Sequence, residues 1–138
     1  MELEERYRIG LTTFEKALNG LELGLTIDFS KYSIVDADYI RNGWIKKFEY
    51  CTELAWKLVK VLLEWKNGQV VNSPKSVYRA FNINQYTSES LTISLLDTIN
   101  DRNQLSHVYK EDIFGQILEN IPTHIHTLGS LLNILKQQ

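Results

Sequence analysis

Cysteine is nearly missing from this chain. Cys51 stands alone, so no internal disulfide can form and no cysteine zinc cluster can be built. That usage fits a reducing compartment, the cytoplasm. No apolar run approaches the length of a membrane span. The opening stretch, MELEERYRIG, starts acidic and lacks the basic-then-apolar layout of a signal peptide. A soluble cytoplasmic protein with no membrane partner is therefore expected. An excess of positive charge is missing too. The formal net charge of −2 argues against a broad surface for duplex DNA, although it leaves room for a local basic site for RNA. There is no phosphate-cradling glycine loop and no H-E-x-x-H pair, so no cofactor and no metal are expected.

Breakers of helices are scarce as well: two prolines and seven glycines in 138 residues. What is there is helical periodicity, within one domain spanning residues 1–138. Leu3, Tyr7, Leu11, Phe14, Leu18, Leu21 and Leu25 recur at steps of three and four, making one stripe of a first helix. DFSKYSIV breaks that pattern, and Asp36 is read as the cap of a second helix over Ala37–Trp65. Trp44, Phe48, Cys51, Ala55, Leu58, Leu62 and Trp65 form its seam. Gly68 should stop it in the left-handed region. Ser73 and Pro74 then supply an N-cap and a first helical residue for a short third helix that ends near Asn82.

A fourth helix should open at Thr87 or Ser88 and carry Leu91, Leu95 and Ile99. A fifth should begin near Glu111, with Phe114, Leu118, Ile121, Ile125, Leu128, Leu132 and Leu135 in register across Pro122. That register predicts one kinked helix, even though an interior proline costs about 3 kcal/mol. No stretch alternates with period two between turn signals. The expected fold is all-α: an up-and-down antiparallel helical bundle of four long helices and one short one.

The stretch DRNQLSHVYKED, residues 101–112, is where the pattern turns chemical. On a helix, Leu95, Ile99, Arg102 and Ser106 share one face, while Leu96, Asn100, Asn103 and His107 form the neighbouring line. An apolar stripe thus runs straight into arginine, asparagine and histidine. Burying such groups unpartnered is costly, so they belong in a hydrogen-bonded network, a wet cleft or a subunit interface. The plainer alternative is that basic groups in a last helical turn simply favour the helix dipole.

Arg102-Asn103-x-x-x-His107-x-Tyr109 resembles the R-N-x-x-x-H-x-Y signature of the HEPN superfamily. More narrowly, KKFEYCTELAWKLVKVLLE, SPKSVYRAF and LLDTINDRNQLSHVYKED occur in the order seen in the nucleotidyltransferase substrate-binding family of small bacterial and archaeal proteins, which this chain resembles. The likeness covers about residues 37–125. It implies a helical-bundle homodimer encoded beside a minimal nucleotidyltransferase, and for many relatives a toxin–antitoxin pair. In such pairs the HEPN protein is a metal-independent ribonuclease that the nucleotidyltransferase restrains. Carried onto this chain, the resemblance makes Arg102 and His107 the catalytic pair of a site composed from two protomers. Asn103 would orient that site, and Tyr109 would sit where some relatives are adenylylated by the partner.

The residue types suit that chemistry. Metal-free RNA cleavage needs a group to take the 2′-OH proton and another to stabilise the charged phosphorane. Histidine titrates near neutral pH, and arginine offers phosphate oxygens a planar fork with a permanent charge. One histidine per chain is poorly placed to be base and acid at once, which a dimer would remedy. Two other readings stand beside this one. In the first the protein is a non-catalytic, nucleotide- or substrate-binding regulatory subunit of the nucleotidyltransferase. In the second it is a helical adaptor whose Arg102 and His107 are only a polar interface network.

Other groups are read conservatively. Nucleotidyl transfer needs a Gly-Ser turn and a Mg²⁺-holding carboxylate pair on a strand. The only pair of that form, Asp36 and Asp38, lies at a helix start and is better explained by capping and the dipole. His124 and His126, two residues apart on a helix, diverge by about 200° and cannot share an ion within one chain; surface or interface positions are expected for both. Trp44, Phe48 and Trp65 are read as core or dimer seam, not a base-stacking surface. Trp56 lies off the seam, with its partner left open.

Overall fold

A computed structural model describes residues 1–107 and 111–138, apart from the side chains of His107 and Glu111. The elements are α1 (Leu3–Leu23), α2 (Ile34–Asn67), α3 (Pro74–Ile83), α4 (Glu89–His107) and α5 (Glu111–Lys136). Two 3₁₀ turns, Gly24–Thr26 and Phe29–Lys31, join α1 to α2. No strand occurs among the described residues, so the all-α expectation holds.

Contacts between helices give the topology. Trp44 of α2 donates its indole N–H to the Leu21 carbonyl at 2.8 Å, while at the other end Tyr7 packs on Trp65. That makes α1 and α2 antiparallel. The Tyr7 hydroxyl donates to the Leu135 carbonyl near one end, and Leu18, Asn19 and Glu22 line a groove with Pro122, Ile125 and His126 toward the other, so α5 runs antiparallel to α1 as well. Arg102 meets Glu53 and His124 meets Asp101, closing an up-down-up-down bundle in which α4 lies between α2 and α5. The short α3 packs on α2 and α4. One apolar core threads all five helices, including Phe14, Leu18, Phe48, Leu62, Phe81, Leu95, Ile121 and Leu128.

The helix ends follow local chemistry, with some shifts from expectation. Helix α2 starts three residues before Ala37. Its cap is Ser33 and not Asp36: the Ser33 Oγ accepts from the Asp36 N–H at 3.1 Å, and Asp36 supplies first-turn negative charge. The helix runs on past Trp65 to Asn67. Gly68 ends it at φ 59°, the left-handed conformation that a side chain would disfavour. Ser73 and Pro74 open α3 as expected, although the Ser73 hydroxyl makes no capping bond. Ser88 sits just before α4, its Oγ accepting from the Leu91 N–H. Leu25 leaves the first stripe: the chain turns into the 3₁₀ segment at Gly24 and Leu25 is half exposed. Helix α5 passes through Pro122 unbroken.

Candidate active site

The apolar stripe of α4 does run into polar residues, and each polar residue takes a different direction. Leu95 and Ile99 are buried, Arg102 is half-buried, and Ser106 is exposed. Consecutive helical residues diverge by about 100°, so Asp101 reaches α5 while Arg102 reaches α2.

Arg102 lays an Nη group 2.9 Å from the Glu53 Oε1. The other Glu53 oxygen lies 3.6 Å from Lys57 Nζ, one helical turn along α2. Arg102 Nε is buried without a hydrogen-bond acceptor among the described residues, although the side chain as a whole is 32% exposed. Around the guanidinium, Lys46, Glu49, Tyr50, Glu53, Leu54 and Lys57 line an open trough of about 430 Å³. A second depression of about 690 Å³ shares Lys46 and Glu49 with it and extends along α2 to Ser106, in the last turn of α4. The two depressions lead from Arg102 toward the end of that helix.

Of the other sequence-derived candidates, Asn103 is exposed, on the side of α4 that faces solvent. His107 is the last residue of α4, one helical turn beyond Asn103. Its side chain lies outside the described residues, and so does the whole of Tyr109. The structure thus relates Arg102 and Asn103 to their surroundings, while the pairing of Arg102 with His107 rests on the sequence.

The residue that sequence reasoning placed wrongly is His124. It is buried, not superficial: its Nε2 lies 2.6 Å from Asp101 Oδ2, and its ring stacks on Phe48 at 5.1 Å between centroids. A carboxylate only accepts, so the ring N–H donates. Asn120 donates to the same Asp101 oxygen at 3.1 Å. The helical register would have placed it, because His124 lies three residues after buried Ile121 and four before buried Leu128. His126, by contrast, is exposed and directed elsewhere.

Glu53 was not singled out from the sequence at all. Its only legible partner there was Lys57 at i+4. Trp56 is half-buried against the core, with its indole N–H buried and without an acceptor among the described residues. Burial pushes the Cys51 thiol up to about 12, which makes it a core group and a poor nucleophile. No cluster of three or more metal-ligating side chains occurs among the described residues.

Comparison with known proteins adds to this geometry. Residues 9–137 match the family described as nucleotidyltransferase substrate binding protein like. A Thermus thermophilus protein of known crystal structure is similar at 29% identity and a TM-score of 0.75, covering 88% of this chain and 98% of that one. A Shewanella oneidensis HEPN toxin, tri-AMPylated and in complex with an MNT antitoxin, is similar with a TM-score of 0.77 over 96% of this chain and 97% of the toxin. At 12% identity, that second likeness bears on the fold alone. No protein of curated function matches the sequence.

Proposed function

Since the chain belongs to the nucleotidyltransferase substrate binding protein-like family, matching it over residues 9–137, we propose that it is the HEPN component of a module with a minimal nucleotidyltransferase. In this reading it is a metal-independent endoribonuclease whose toxicity that partner restrains. The observation that carries the reading is the setting of Arg102: a half-buried guanidinium on a solvent-open trough that leads toward the end of α4, where His107 closes the helix.

Cleavage begins when the 2′-oxygen of RNA attacks the adjacent phosphorus and its proton passes to His107 of one protomer. Arg102 donates to the equatorial oxygens of the phosphorane, where charge accumulates. The P–O5′ bond then breaks as the leaving oxygen takes a proton from His107 of the second protomer. The products are a 2′,3′-cyclic phosphate and a 5′-hydroxyl. Two histidines are needed in different protonation states, which favours a homodimer with a composite site. Asn103, exposed one residue past Arg102, orients the strand, and Tyr109 is the position for adenylylation by the partner.

Expression without the partner tests this. Arrest of growth, relieved by His107→Ala, is expected, and harmless expression of the wild-type chain would count against it. A second reading has an observation in its favour: Arg102 is already engaged by Glu53, as suits a group that anchors a ligand and takes no part in a reaction. In that reading the chain is a non-catalytic subunit that binds the nucleotide or other substrate for the nucleotidyltransferase. It should be harmless alone and should raise the partner's activity.

A further inference from the structure

We infer that Glu53 is the positioning residue of the site, fixing the Arg102 guanidinium so that it meets a phosphodiester of single-stranded RNA lying in the α2 trough; this rests on the ribonuclease reading above.

An arginine on the last turns of a helix has several rotatable bonds and loses considerable freedom when it is held. Here it is held at one end of its polar group. Glu53 Oε1 lies 2.9 Å from one Nη, while the Nε is buried, out of reach of a ligand. Only the remaining terminal N–H groups can reach a ligand. A phosphate would therefore meet the Nη end of the fork, not its Nε side.

The carboxylate does not cancel the site. Its second oxygen lies beside Lys57, so Glu53 is shared between two cations. Lys57, Glu53 and Arg102 together keep one positive charge. Lys46 continues the trough on the same α2 face, although Glu49 accompanies it at 3.6 Å. Between them Tyr50, 55% exposed, presents an aromatic face on which a base can stack. Lys46, Tyr50 and Lys57 are spaced by four and seven residues along one helical face, about 16 Å from end to end, enough for two or three nucleotides. Single-stranded RNA, with phosphates and unstacked bases alternating, matches that sequence of cation, ring and cation.

The test is a double-mutant cycle between Glu53 and Arg102, read in two ways on the full-length protein. Cleavage is measured on a short single-stranded RNA. Binding is measured with a 2′-O-methyl oligoribonucleotide, which lacks the attacking hydroxyl. Glu53→Ala should weaken binding about tenfold and slow cleavage at least as much, as loss of one charge-assisted contact would. Glu53→Gln, which keeps an acceptor for the Nη group, should recover most of the binding. On an Arg102→Ala background, Glu53→Ala should do nothing further, because it acts through the arginine.

Unchanged or tighter binding by Glu53→Ala would overturn the inference. So would additive effects in the cycle, or a wild-type chain that fails to bind the oligonucleotide. A wild-type chain that binds but does not cut would defeat the ribonuclease reading alone, and positioning would then be judged on binding.

Discussion

Asp101 on α4 accepts a hydrogen bond at 2.6 Å from the His124 ring on α5, and that ring lies against Phe48 of α2. The contact ties three helices together next to Arg102, whose own side chain leaves α4 toward Glu53. The pair thus helps to hold α4 between α2 and α5, one residue before the arginine.

Removal of either partner should therefore destabilise the bundle. His124→Ala leaves Asp101 with Asn120 alone and opens space beside Phe48, with an expected loss of about 2–4 kcal/mol. Asp101→Ala should fall in the same range, because a buried ring N–H loses its acceptor. Asp101→Asn should cost less, since its carbonyl still accepts. Urea denaturation of the three variants checks this. Equal stability of all three with wild type would mean the pair is incidental.

Gly24 is held by space and not by backbone angle. Its φ of −61° suits any residue, but a Cβ there would run into the Trp44 indole nitrogen, whose N–H is bound to the Leu21 carbonyl. Gly24→Ala must push the indole away and break that bond, at about 2–3 kcal/mol. A lower melting temperature with a changed tryptophan emission is expected. Tolerance of alanine with unaltered emission would contradict the contact.

Alkali should unfold the protein through its core. Burial pushes Cys51 from 9.0 up to about 12 and Tyr7 from 10.0 up to about 12. Both are neutral when protonated, so each contributes stability that is complete below its unfolded value. That contribution is lost as pH rises through the window from about 9 to 12, where the unfolded chain ionises first. Stability should be level from pH 7 to 9 as far as these groups act, then fall. Cys51→Ala should flatten the fall above pH 9, and an identical slope in that variant would remove the thiol from the explanation.

Much of the fold was legible because burial follows the 3–4 step. The seam of α2 from Phe48 to Leu62 and the α5 series from Ile121 to Leu135 emerged largely as buried faces. The errors arose where two residues compete for one role or where a partner is distant. Ser33 and Asp36 are both good caps, and Ser33 takes the role because the chain is extended there and already helical from Ile34. His124 was judged by its neighbour His126 instead of by its register with Ile121 and Leu128. Its acceptor Asp101 lies on another helix, beyond the reach of local spacing. Glu53 was hidden for the same reason: its nearby lysine accounts for it in sequence, while the arginine that uses it arrives from α4.

RNA cleavage in the presence of EDTA decides whether Arg102 and His107 form a metal-independent nuclease. The wild-type protein is compared with Arg102→Ala and His107→Ala on tRNA and mRNA. Wild type should cut, leaving cyclic phosphates, and each variant should be slower by at least about a hundredfold. Cleavage undiminished in His107→Ala, or none by the wild-type chain on either RNA, would contradict that assignment.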